Sequence, residues 1–217
     1  MSHYFENDNS LESNIKNFDI LINDIKFTFS TDNGVFSKGE LDFGTYLLIK
    51  NVLKMNLSGN ILDLGCGYGP VGIILTKIFD VNTDMVDVNK RAIHLTKMNA
   101  KKNNVFVNCF LSNGYENINN KYNFIISNPP IRIGKKNLYE LLIDSGKHLE
   151  KDGEILIVVR KEQGALSLIK DMSVYYNVKT IDKDKGFLII SLKNDWLDCI
   201  FVLLIYVGDI LFLLICT

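Results

Sequence analysis

Four apolar runs organise the middle of the chain: Ile61-Leu62, Met85-Val86, Phe124-Ile125-Ile126 and Ile155–Val159. Consecutive apolar positions are the pattern of strands buried on both faces of a sheet. Between and after these runs, apolar residues recur three and four apart. That spacing predicts helices at Gly69–Phe79, Lys90–Lys102, Leu138–Leu149 and Ala165–Met172. In the first of these, Val71, Ile74, Leu75 and Ile78 should face inward. Strands are expected at Asn60–Leu64, Asn82–Val86, Val105–Cys109, Tyr122–Ser127 and Glu154–Val159. Alternating strands and helices predict an α/β fold with a mostly parallel sheet covered on both faces. The last two runs, Tyr176–Ile181 and Phe187–Leu192, are joined by Asp182–Gly186. That link is too short for a parallel crossover, so these strands should pair antiparallel.

Upstream of the alternation, Phe18–Leu21 and Ile25–Phe29 flank Asn23-Asp24, a hairpin signal. Leu41, Tyr46, Leu47, Ile49, Val52 and Leu53 then recur at helical spacing between Gly39 and Met55. The chain has 217 residues, enough for one core and short for two full domains. With 24 basic and 25 acidic residues, it is not held to nucleic acid by bulk charge. Three of the acids, Asp195, Asp198 and Asp209, fall in a C-terminal stretch that has no Lys or Arg, so the remainder is slightly basic. Cys66, Cys109, Cys199 and Cys216 are scattered without metal-ligand spacing, and the first 17 residues are polar. These features predict a cytoplasmic protein with free thiols and no metal. His3, His94 and His148 form no cluster; the latter two read as surface residues of helices.

Two segments carry chemistry. The first is Asp63-x-Gly65-x-Gly67-x-Gly69, set between an expected strand and helix. Glycines there permit a tight turn and let a ligand approach the backbone. Asp63 is placed to meet an amine, and Asp87, ending the next strand, to accept the hydroxyls of a ribose. The bland alternative is a turn with two helix-capping acids. The second segment is Asn128-Pro129-Pro130-Ile131 at the end of the fourth strand. Two prolines stiffen the turn and remove two N–H donors. The Asn128 side-chain oxygen and the Pro129 carbonyl can then grip one planar amine, aligning it for displacement. A plain turn is the alternative. Arg132, Lys135, Lys136 and Lys161, with Arg160, fall near the same sheet rim, where they would hold phosphates or lie as ordinary surface cations. Cys66 reads as a small packing residue.

The glycine segment resembles motif I of class I S-adenosylmethionine-dependent methyltransferases. Asn128-Pro-Pro-Ile131 resembles the Asn/Asp-Pro-Pro-aromatic signature of enzymes that methylate planar nitrogens, with Ile131 in place of the ring. Further stretches are similar to the small methyltransferase-domain family related to the bacterial 16S rRNA guanine-N2 methyltransferase. They are Ser2–Phe5, Phe29–Ser37, Asp42-Phe-Gly-Thr45, Asn128–Lys136 and Arg160–Ala165. The resemblance covers residues 1–193 and implies one catalytic domain there, with a Rossmann-like seven-stranded sheet in the order 3-2-1-4-5-7-6. It implies S-adenosyl-L-methionine held by Asp63, Gly65, Cys66, Gly67, Gly69, Asp87, Val88 and Asn113. Catalysis falls to Asn128, Pro129, Pro130 and Ile131. Substrate contacts fall to Phe36, Lys38, Arg132, Lys135, Lys136 and Lys161, and a substrate-side turn to Gln163-Gly164. The implied substrate is a guanine N2 amine of 16S rRNA, free or in a small-subunit assembly intermediate. A glutamine amide or DNA adenine, or a non-catalytic RNA-associated binding module, are the alternatives.

Residues 194–217 stand apart as a hydrophobic extension. Trp196–Cys216 would span about 30 Å as a helix, close to a bilayer core. Asp198 and Asp209 lie within it. A membrane helix, a helix packed on the domain or a second copy, and an unselected extension all remain open. Membrane association is expected only through this segment.

Overall fold

The computed structural model describes residues 11–129 and 134–194. Nine strands and five helices lie in these segments. A hairpin of β1 (Lys16–Ile22) and β2 (Ile25–Thr31) precedes α1 (Phe43–Val52). Then follow β3 (Asn60–Leu64), α2 (Pro70–Phe79), β4 (Asn82–Asp87), α3 (Lys90–Lys102), β5 (Asn108–Leu111) and β6 (Tyr122–Ser127). The chain continues through α4 (Lys135–Ser145), β7 (Leu149–Arg160), α5 (Ala165–Met172), β8 (Asn177–Asp184) and β9 (Phe187–Lys193). The main sheet has seven strands in the order β5-β4-β3-β6-β7-β9-β8. Only β9 runs antiparallel, and it does so to both β7 and β8. In core-strand numbers this is the order 3-2-1-4-5-7-6 that the family resemblance implied.

The continuous apolar runs explain the layering. Successive strand residues point to opposite faces, so Ile61, Ile126, Leu156 and Val158 feed one core with α1, α2, α3 and the hairpin. Leu62, Ile125, Ile155 and Ile157 feed the other, with α4 and α5. In the hairpin turn, Asn23 and Asp24 both adopt left-handed φ, +48° and +61°. This is the two-residue turn whose twist matches the flanking strands.

Several boundaries move from the sequence reading for local reasons. The helix expected over 39–55 starts at Phe43, because Asp42 Oδ1 accepts the Gly44 and Thr45 N–H groups as an N-cap. The strand expected at Val105–Cys109 begins at Asn108. Val105 N still donates to Ala100 O, closing α3, and Asn104 sits at φ +54°. The helix expected to run to Leu149 stops at Ser145 and passes through a short 3-10 turn, Gly146–His148. Leu149 already pairs with Tyr122 across a bulge, so β7 is twelve residues long. The polar link expected at Asp182–Gly186 shrinks to Lys185-Gly186, since Asp182 and Asp184 pair with β9. Pro130, Ile131, Arg132 and the 196–216 segment lie outside the described residues. Among the described residues, no helix is long and apolar enough to cross a membrane.

Candidate active site

Because β3, β4, β5 and β6 are parallel, their C-terminal ends share one edge of the sheet. Asp63 is in register with Ile126, so the glycine loop and the Asn128 turn leave the sheet side by side. A cleft of about 870 Å³ opens along this edge. Its floor is Leu64, Gly65, Val86, Asp87, Val88, Ser112, Asn113 and Ser127, and its far wall is α4 with the turn that follows. Four carboxylates, Asp87, Glu116, Glu140 and Asp144, line it against the basic side chains Lys147 and His148. That balance favours a cationic guest.

The glycine loop is built by backbone conformation. Gly65, Gly67 and Gly69 all take positive φ, +75°, +58° and +95°. A Cβ on Gly65 would meet nothing within 4 Å, so this backbone faces open cleft. Gly69 instead caps α2 against Ile73 and Thr96, leaving no room for a side chain. Asp87 holds the loop from the next strand. Its Oδ2 accepts from Gly67 N at 2.9 Å and its Oδ1 from Asn89 N at 2.8 Å.

Asp63 is placed differently from the sequence reading. It is 2 % exposed, absent from the cleft lining, and its Oδ2 accepts from Gly72 N at 2.8 Å. It therefore ties β3 to the first turn of α2 beneath the loop. Burial pushes its carboxyl up to about 7; the Gly72 N–H opposes this and the Asp87 charge adds to it. Cys66, Gly67 and Gly69 are likewise buried and support the loop, and burial raises the Cys66 thiol well above its usual range. Gly65, Asp87, Val88 and Asn113 line the cleft. The Asn113 amide donates to Glu116 Oε1 at 2.8 Å, which leaves its oxygen as the acceptor toward a ligand.

Asn128 and Pro129 sit at the mouth of β6, beside the cleft residue Ser127. Ser127 Oγ donates to Leu64 O at 2.6 Å, locking the two strand ends together. Asn128 Nδ2 donates to the hydroxyl of Thr45, in the first turn of α1, at 2.9 Å. The basic rim is less free than its sequence suggests. Lys135 pairs with Asp171 at 3.2 Å and lies over the Tyr139 ring, and Lys136 approaches Glu140 at 3.8 Å. Arg160 lies on the Phe187 ring and pairs with Glu162. Lys161 is exposed. Phe36, 53 % exposed, and Lys38, bonded to Asn33, lie in the loop after β2. That loop is fastened to α3 by Asn89, which donates to Gly34 O, and Arg91, which donates to Asn33 O. Gln163 is exposed, and Gly164 opens α5 at φ +89°.

Sequence reasoning missed four supports. Thr96 Oγ1 donates to Gly67 O, and the Asn99 amide donates to both Tyr68 O and Ser30 O. Tyr115, in hydrogen bond with Ser145, stacks on His148 with ring centroids 4.3 Å apart. His148 is thus a cleft-wall residue and not a surface residue of a helix. The fourth is Thr45, the partner of Asn128. For Thr96 and Asn99 a signal existed: polar residues at i and i+3 on the apolar face of α3.

The glycine loop, the acid that ends the next strand and the strand order converge on one family, and the profile of the methyltransferase small domain matches residues 26–191. The chain belongs to the methyltransferase small domain family. It is a methyltransferase, and its cofactor is S-adenosyl-L-methionine. It is 40 % identical over 197 residues to "Uncharacterized protein YbxB" of Bacillus subtilis, covering 88 % of this chain and 98 % of that protein. It is 35 % identical over 182 residues to "Ribosomal RNA small subunit methyltransferase C" of Psychromonas ingrahamii, covering 82 % of this chain and 51 % of the relative. The chain thus spans about half the length of that named methyltransferase. In fold it is similar to the T. thermophilus 16S rRNA N2 methyltransferase RsmC in complex with AdoMet and guanosine. The TM-score is 0.71, with 18 % identity, covering 83 % of this chain and 51 % of that one.

Proposed function

We propose that this methyltransferase small domain protein transfers a methyl group to the exocyclic N2 amine of a guanine in small-subunit ribosomal RNA, in the cytoplasm. The observation that carries the reading is the Asn128-Pro129 turn, set on the same sheet edge as the cofactor cleft. The sequence relatives named as small-subunit rRNA methyltransferases, and a structural neighbour that holds guanosine, support the choice of RNA over protein or DNA.

When bound, S-adenosylmethionine supplies an electrophilic methyl group on a sulfonium. Gly65, Asp87, Val88 and Asn113 would hold it, with Asp63, Cys66, Gly67 and Gly69 shaping the loop beneath. Asn128 Oδ1 and the Pro129 carbonyl would accept the two hydrogens of the guanine amine. That grip keeps the nitrogen lone pair out of conjugation and aimed along the line of displacement. Its catalytic value is orientation and stabilisation of the charge that develops on nitrogen. By the family resemblance, Pro130 and Ile131 belong to the same motif and would contact the base. Phe36, Lys38, Arg132, Lys135, Lys136 and Lys161 would meet RNA. Of these, Lys161 should contribute more than Lys135, whose charge is already shared with Asp171.

The test offers labelled cofactor with naked rRNA, 30S particles, transfer RNA, DNA and release factor in parallel. Label should appear in small-subunit rRNA and digest to N2-methylguanosine. Asn128→Ala should keep S-adenosylhomocysteine affinity and lose most turnover. Label confined to release factor or DNA, or a fully active Asn128→Ala enzyme, overturns the reading.

A further inference from the structure

The glycine loop and the Asn128 turn account for the cofactor and the amine, but nothing in them fixes the rotation of the Asn128 side chain. Its two amide corners are nearly the same shape and opposite in chemistry, one a donor and the other an acceptor. A grip on a substrate amine requires the oxygen. The structure supplies a partner for the nitrogen from a different part of the chain. Thr45 Oγ1 receives Asn128 Nδ2 at 2.9 Å across 83 residues of sequence.

Thr45 is itself held. It is 4 % exposed, and its N–H donates to Asp42 Oδ1 together with that of Gly44. The first turn of α1 is pressed onto β9 so closely that a Cβ on Gly44 would lie 2.8 Å from the Phe187 ring. The hydroxyl therefore sits on a capped, packed helix start and not on a loop.

We infer that Thr45 is a positioning residue: its hydroxyl holds Asn128 Nδ2, so that the amide meets the substrate amine through Oδ1. This rests on the proposed methylation of a planar amine, and it would hold for any such amine. Asp42 acts one step further back, by fixing the backbone of Thr45.

The variants are Thr45→Val, which keeps the shape and removes the hydroxyl, and Thr45→Ser, which restores it. Three measurements decide. In NMR of the whole chain, the Asn128 side-chain NH2 resonances should move in Thr45→Val and return in Thr45→Ser. In kinetics, Thr45→Val should lower kcat about tenfold, the value of one orienting hydrogen bond in the transition state. KM for RNA and affinity for S-adenosylhomocysteine should be unchanged, and Thr45→Ser should recover most of the rate. In the Asn128→Ala background, Thr45→Val should cost nothing further, because it acts only through that side chain. Unmoved resonances, a Thr45→Val enzyme as fast as wild type, weakened cofactor binding, or additivity with Asn128→Ala overturns the inference. If wild type labels DNA or release factor in place of RNA, the substrate reading fails and the same ratios, taken on that substrate, still judge Thr45.

Discussion

Asp63 makes the cofactor-free protein sensitive to pH over a range where most surface carboxylates are silent. Its carboxyl is buried beneath the glycine loop, beside the charge of Asp87, with one N–H of α2 as recompense, and it titrates at about 7. In the unfolded chain it would titrate near the ordinary carboxylate value of 3.8. The folded pKa is the higher one, so this group's contribution to stability is fully present below about pH 4. It is lost as pH rises toward 7, and it is flat above that. Each unit of difference is worth about 1.4 kcal/mol, so the loss between pH 5 and pH 8 is about 3 kcal/mol. Asp63→Asn removes the charge and keeps an oxygen for the Gly72 N–H. Urea unfolding of both proteins without cofactor at pH 5, 6, 7 and 8 measures the difference directly. The variant should gain on wild type by about 3 kcal/mol across that range, with most of the gain complete by pH 7. Parallel stability curves for the two proteins would refute the reasoning, since any other titrating group is common to both.

Two further outcomes follow from the packing of the loop. Gly65→Ala forces a side chain onto a φ of +75° and into open cleft, so it should cost stability only about 1 kcal/mol while abolishing S-adenosylhomocysteine binding by calorimetry. Asn99→Ala strips partners from buried Ser30 and Tyr68 backbone groups, and should lower stability by roughly 2–4 kcal/mol in denaturant titration, with cofactor affinity falling alongside.

Much of the architecture was legible in the sequence because the signals were local. Strands β3 and β6 and helices α3 and α5 fall where periodicity placed them, and the tight β8–β9 link forced antiparallel pairing. Boundaries slipped where a single side chain or backbone group decided them, as at the Asp42 cap and the Val105 N–H that closes α3. The site divided in the same way. Glycines that need positive φ announce themselves by residue type, so the loop was readable. Which carboxylate faces the cleft and which lies under it depends on a β3–α2 hydrogen bond that no pattern encodes. The same is true of Thr45, whose partner lies 83 positions away. The cations near the Asn128 turn looked equivalent in sequence and differ because Asp171 and Glu140 reach some of them.

The stitching of α3 to the segment before it also sets limits on protein engineering. Asn99 joins β2 to the glycine loop, and Arg91 reaches the carbonyls of Leu11 and Asn33. The family profile begins at residue 26 and the first core strand at Asn60. A graft cut at Asn60 would strip Asn99 of Ser30 and Arg91 of Asn33, and one cut at residue 26 would leave β2 without β1 and Arg91 without the Leu11 carbonyl. The transplantable unit begins no later than Leu11, and a chimera that swaps the hairpin must swap the facing side of α3 with it.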